Sequence, residues 1–426
     1  MCEKNISENP SFKKLEKDLN QLKLLKAFYP LIKPFLNDVS KIEKGLNKIP
    51  ELEQTLHELK TIPDKFNNLF SDHGWIFNEL LSIEKGKQAI KAYEEHSLEK
   101  AENILVNYYS PEWVENHLVL LTFLPEFKER VELAKKACED YKAGRYYSSV
   151  LVTILLIDGW VNDLNIVDFQ RKGFYAEDSP LIAWDSITAH SKGLVKLQKV
   201  FCKGRKKTVT EKITIPYRHG IIHGMDLGFD NKIVAAKNWA ALFSVRDWVI
   251  KARKGELKPP PAVKEKELSW IESIQGLIDT KNNIEKFKNW KPRDINIAID
   301  YPSKGRLEDY PDNTPEKTLI SFLEYWKNDN YGFMAKCYAP MFNKKPIEIR
   351  QEYHDKTLID YELIEIKDLA PCTTQIITKA ILEIEGNRTI KIFEFRLICN
   401  TKEGEMVYIQ SDNSIWGIID RKEINK

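Results

Sequence analysis

Over the first quarter of the chain, apolar residues recur at three- and four-residue steps. Leu15, Leu19, Leu22, Leu25 and Phe28 are separated by Lys, Glu and Asp, the spacing of one face of an amphipathic helix. Pro30 and Pro34 interrupt that helix, Ile42 to Leu59 resumes it, and Phe66 to Ala101 continues in the same style. The alternating charges read as a solvated face. A coiled-coil or partner-docking role stays open, although the repeat is short and broken by proline. Ser110-Pro111-Glu112 carries a helix start, and Pro125 marks a boundary.

The pattern sharpens from Phe127. Phe127 to Ala143 is amphipathic and Gly144 closes it. Arg145 to Leu164 is apolar almost all round, which predicts a helix in the middle of a bundle. A less regular stretch, Asp168 to Ser186, precedes a third helix from Ser186 to Phe201. A basic loop follows, Lys203-Gly204-Arg205-Lys206-Lys207. A last helix spans Lys232 to Lys254, with Trp239, Leu242, Phe243, Val245 and Trp248 as its inward candidates. Three consecutive prolines, Pro259 to Pro261, mark a linker. It carries a short helix, Trp270 to Lys288, and connecting chain to Asn313.

The period then changes. Thr314-Pro315-Glu316 caps a helix through Tyr331, and a short helical piece continues to Ala339. Thr357 to Leu369, Thr373 to Glu385, Thr389 to Asn400 and Glu405 to Gln410 alternate as successive strands, with turns at Asp368–Pro371, Gly386-Asn387 and Gly404. The expected fold is multidomain and mainly α. It comprises an N-terminal helical region (1–125), a helical bundle (126–255), a linker with a short helix (256–312) and an α+β domain (313–426) with a curved antiparallel sheet.

Composition narrows the function. The 426 residues hold 65 Lys and Arg against 63 Asp and Glu, a net charge of +2. That balance excludes a globally basic coat and confines any nucleic-acid contact to a local patch. The polar N-terminus lacks a signal-peptide core, and no stretch reaches the length of a membrane span, so a cytoplasmic protein with no membrane partner is expected. The six cysteines form no CxxC pair, which points to reduced, mostly buried thiols rather than disulfides or a zinc site.

One local pattern suggests chemistry. Arg218 is followed by four residues and then His223, with glycines at Gly220 and Gly224. It is the chain's only Arg-to-His pair at that spacing, and it lies between two helices. A histidine can move a proton near neutral pH, and a guanidinium stays charged and can hold phosphate oxygens. His219 either orients a phosphate or shares the proton transfer, or else faces solvent. Asp158, a carboxylate in an apolar helix, either holds Arg218 or lies exposed near the bend at Gly159. Lys203, Arg205, Lys206 and Lys207 either attract RNA or form a solvated loop, and Tyr217 either stacks a base or packs inside.

At these residues the chain resembles a family. Phe127 to Gly255, about a third of the sequence, resembles a HEPN domain of the abortive-infection type. The likeness rests on Tyr141-Lys-Ala-Gly-Arg-Tyr-Tyr147 at the corner of a long helical pair. It rests equally on Arg218-His-Gly-Ile-Ile-His-Gly224, matching the family's Arg-x(4–6)-His motif. The resemblance implies a metal-independent, dimeric endoribonuclease with no cofactor, in which Arg218 clamps phosphate and His223 is the general acid/base. It implies a toxin or phage-defence setting, RNA as substrate, a homodimer, and an antitoxin or other regulatory partner. Some such domains only scaffold or bind nucleotides, and that alternative stands beside catalysis.

Residues 313–426 are similar to the nuclear-transport-factor or SnoaL-like cone fold. The similarity is carried by Thr314-Pro-Glu, the aromatic run Phe322 to Trp326, and long strands ending near Trp416. It implies a dimerising or sensing module, or a small-molecule pocket with His354, Asp355 and Asp360 as its local acid–base candidates.

Overall fold

The computed structural model describes residues 5–32, 46–164, 173–175, 181–259, 290–402, 407 and 414–424. The chain divides into two compact units, Met1–Gln275 and Gly276–Lys426. The first is helical and the second is α+β.

Unit 1 begins with α1 (Pro10–Ile32), which continues through Pro30 into its last turn, and α2 (Ile49–Phe70). Shorter helices follow: α3 (Ile83–Glu95), α4 (Leu98–Tyr108) and α5 (Pro111–His117). The last three start on Ser82, Ser97 and Ser110, whose hydroxyls accept backbone N–H groups of the first turn. One hydrophobic core runs from Phe66 to Val249 and crosses residue 125 without a break, so α2 to α5 pack into the same core as the bundle.

The centre of the bundle is α6 (Val131–Lys142), α7 (Tyr146–Asp163) and α10 (Lys232–Arg253). A 3-10 segment over Pro125–Arg130 takes the first residues of the helix expected from Phe127. Trp160 packs edge-on to Phe127 at 4.6 Å, and Trp239 donates to Ser149 Oγ at 3.1 Å. Helix α7 is buried on most sides, but Tyr147, Leu151 and Leu155 form an i, i+4, i+8 stripe exposed by 51%, 37% and 58%.

The helix expected over 186–201 is shorter, α8 (Leu194–Phe201). The Ser186 hydroxyl accepts from the Thr188 and Ala189 N–H groups, which holds the chain in a turn instead. Two short strands that the sequence did not signal, β1 (Val209–Lys212) and β2 (Asp226–Gly228), pair in parallel around the Arg218 segment. Between them lies α9 (Arg218–Ile222).

Two contacts fasten this excursion to α10. The Asn231 side chain caps α10 and donates to the Ile213 and Gly228 carbonyls, at 2.9 and 3.1 Å. The Lys237 ammonium, buried against Glu102, donates to the Thr214 carbonyl at 2.7 Å.

In unit 2, α11 (Pro315–Lys327), α12 (Tyr331–Lys336) and α13 (Pro346–Tyr353) precede a four-stranded antiparallel sheet. Its strands are β3 (Thr357–Ala370), β4 (Thr373–Ile384), β5 (Asn387–Thr401) and β6 (Ser414–Glu423), in sequence order. Register shifts interrupt β3–β4 and β5–β6, where irregular pairing bends a sheet. The expected strand at 405–410 lies outside the described residues except Val407, and the fourth strand is Ser414–Glu423 instead. The short helix at 270–288 also lies outside them.

Residues 290–312, read from sequence as connecting chain, belong to unit 2. Arg293 bonds both oxygens of Asp368, at 2.7 and 2.8 Å, and reaches the buried Glu316 at 2.8 Å.

Candidate functional site

The motif is organised by its backbone. Helix α9 ends in a Schellman turn: the Met225 N–H donates to the Gly220 carbonyl at 2.6 Å and the Gly224 N–H to the Ile221 carbonyl at 3.2 Å. Gly224 supplies the left-handed residue this requires, at φ +68°. Gly220 serves a different need. The chain leaving the turn brings the buried Asp226 carboxylate against its Cα, and a Cβ there would fall 1.8 Å from Oδ2.

Asp226 is held in turn by Arg205, whose Nε lies 2.9 and 3.1 Å from its two oxygens. The Arg205 guanidinium also covers the Tyr217 ring, 4.2 Å from its centroid. Arg205 and Tyr217 are thus packed on each other beside the motif, and Arg205's charge is matched by a carboxylate. Lys203, Lys206 and Lys207 stay exposed on the same loop, which Arg205 fastens to the motif.

Arg218, His219 and His223 lie together. The His219 and His223 rings are nearly parallel, with planes 6° apart and centroids 6.1 Å apart, as i, i+4 neighbours on one helix face. An Arg218 terminal nitrogen is 3.4 Å from His219 Nδ1. A guanidinium only donates, so this contact leaves the lone pair on Nδ1 and the ring proton on Nε2. Partial burial, then the Arg218 charge and His223, hold His219 below the ordinary histidine value. His223 is exposed.

Beneath Arg218 lies Tyr175, with the guanidinium carbon 5.5 Å from its ring centroid. Among the described residues, neither the buried Arg218 Nε nor the buried Tyr175 hydroxyl has a hydrogen-bond partner. Among the described residues no carboxylate pairs with Arg218. Asp158 does not hold it; it accepts the Tyr175 N–H at 3.2 Å and so fixes the residue under the guanidinium. Burial keeps the Tyr175 hydroxyl well above its ordinary pKa, hence protonated.

Sequence reasoning missed two residues here. Asp226 had a faint signal, an acid just past the Gly224 turn. Tyr175 had none, since its place depends on chain packing across the irregular stretch.

In unit 2, His354, Asp355 and Asp360 form no acid–base pair. Asp360 bonds Lys304 at 2.6 Å, Asp355 lies 3.2 Å from Lys356, and His354 Nδ1 meets the Arg350 carbonyl at 3.0 Å. The core beside the sheet is filled by Phe322, Trp326, Tyr353, Phe393 and Phe395. Arg421 lies 4.6 and 4.9 Å from the Tyr353 and Phe393 ring centroids.

No family model, curated protein or solved structure matches the chain. Among the described residues, no helix is long and apolar enough to cross a membrane, and no group of three or more His, Cys, Asp or Glu is placed to hold a metal ion.

Proposed function

We propose that the chain is an endoribonuclease of HEPN type in which RNA supplies its own nucleophile, the ribose 2′-hydroxyl. The observation that carries this reading is the state of Arg218. Among the described residues its buried Nε has no acceptor and no carboxylate neutralises it, and the His219 imidazole lies against it with the His223 ring parallel to that of His219. Buried donors are normally satisfied, and a guanidinium's preferred partner is a bidentate anion. A backbone phosphate supplies one.

In this reading Arg218 binds the non-bridging phosphate oxygens and stabilises the charge that builds on them. His223, open to solvent, takes the 2′-hydroxyl proton or returns one to the leaving 5′-oxygen. His219 stays neutral and offers its Nε2–H to the phosphate. Lys203, Lys206 and Lys207 draw the RNA backbone toward the motif. The products carry 2′,3′-cyclic phosphate and 5′-hydroxyl ends. No step requires a cofactor.

The resemblance adds a homodimer, a toxin or phage-defence setting and a regulatory partner. The exposed stripe Tyr147, Leu151 and Leu155 supports the dimer, because it is an apolar surface suited to a second copy.

Cleavage of total tRNA and of a structured RNA, with Arg218→Ala and His223→Ala alongside, tests the reading. Both variants are expected to lose activity by about a hundredfold or more while keeping the wild-type oligomeric state. RNA handling unchanged in both variants would favour a non-catalytic scaffold.

A further inference from the structure

Unit 2 holds two cysteines that strand register brings face to face. Thr373 opposes Ile398 at one end of the β4–β5 ladder. One step beyond, the Cys399 N–H donates to the Cys372 carbonyl at 3.0 Å, so these two residues are the next opposed pair. Opposed residues of an antiparallel ladder project to the same face, and hydrogen-bonded partners stand about 5.5 Å apart at Cα. A disulfide spans that separation without moving backbone. Both side chains are buried.

Their surroundings are unequal. Hydrogen bonding from Cys372, then Ser414 and the Asn400 backbone, favours the Cys399 thiolate. Together these donors outweigh burial and bring Cys399 down to about 7, whereas Cys372, which keeps its proton in that bond, is pushed up. Cys337 in the same core shows what burial does alone, since it is pushed up to about 12.

We propose that Cys372 and Cys399 form a redox-active dithiol, with Cys399 as nucleophile, Cys372 as resolving thiol and hydrogen peroxide as oxidant. The Cys399 thiolate attacks one peroxide oxygen. The O–O bond breaks, giving a sulfenic acid and a hydroxide that leaves as water. Cys372 then loses its proton, attacks the sulfenic sulfur and expels the second oxygen as water. Two thiols and one peroxide yield one disulfide and two waters. The oxidant is close to water in size, which suits a buried thiolate. Closure staples β4 to β5 at the end where Ser414 of β6 pairs with Thr401.

The test uses the full chain, reduced, freed of reductant and exposed to hydrogen peroxide at pH 7. It is then alkylated and digested without further reduction for mass spectrometry. The expected product is a Cys372–Cys399 cross-linked peptide pair, two hydrogens lighter than its parts, with Cys138, Cys202 and Cys337 still alkylated. In Cys372→Ser, where the sulfenic acid has no resolving thiol, Cys399 is expected to be labelled by dimedone and Cys337 is not. Recovery of both Cys372 and Cys399 as alkylated thiols from the wild type would overturn the proposal. So would conversion of Cys399 to sulfinic acid with Cys372 untouched.

Discussion

The Asp226 carboxylate occupies the space that a side chain at Gly220 would need, 1.8 Å from the ideal Cβ position. That carboxylate is fully buried and held by Arg205, so it cannot swing aside. Gly220→Ala therefore pushes the motif helix away from β2. The expected loss is about 1–3 kcal/mol of stability, read by urea denaturation, with RNA cleavage falling together with it.

The basic loop divides into two kinds of residue. Arg205→Ala strips a buried carboxylate of its partner and is expected to cost about 1–3 kcal/mol. The combined change of Lys203, Lys206 and Lys207 to Ala touches only exposed ammonium groups. It is expected to leave stability within about 0.5 kcal/mol and to weaken RNA binding, with a shallower salt dependence. Denaturation and filter binding at two salt concentrations separate the two effects.

Acid stability depends in part on His190. Burial lowers its pKa to about 4 from an ordinary 6.5, while Asn67 Nδ2 lies 3.3 Å from its Nε2. Between those values the unfolded chain binds a proton that the folded chain does not. His190 therefore favours folding fully above pH 6.5, and its contribution is lost as pH falls toward 4. The wild type is expected to lose stability over that window, and His190→Gln to lose less. Denaturation midpoints at pH 4.5, 5.5 and 7 measure the difference.

The α7 stripe predicts the effect of a charge placed in it. Leu155 is exposed, so Leu155→Glu is expected to leave folding nearly unchanged. If the second copy covers this face, the variant sediments as a monomer at concentrations where the wild type is a dimer.

Legibility followed how local each determinant is. Gly144 announced its helix end because a left-handed residue is needed there whatever surrounds it. The β3 and β4 strands showed in their alternation because that signal lies within ten residues. Strand β6 did not, since Ser414, Trp416, Gly417, Ile418 and Ile419 are buried on both faces and no alternation survives. The pairing of β1 with β2, the seat of Arg205 on Asp226 and Tyr175 under Arg218 all join segments well apart in sequence. The motif residues were legible as a list, and their arrangement was not. Asp158 is linked to Arg218 through Tyr175, a link no spacing rule contains.

In the proposed reaction RNA's own 2′-hydroxyl is the nucleophile at Arg218 and His223. The most direct measurement is the chemistry of the cut. Wild-type protein is incubated in EDTA with an RNA oligonucleotide it cleaves and with the same oligonucleotide carrying one 2′-deoxy sugar at the cleaved position. Cleavage of the first with 2′,3′-cyclic phosphate and 5′-hydroxyl ends is expected, with no cleavage at the deoxy position and none of either by His223→Ala. Cutting at the deoxy sugar, or equal cleavage by His223→Ala, would contradict it.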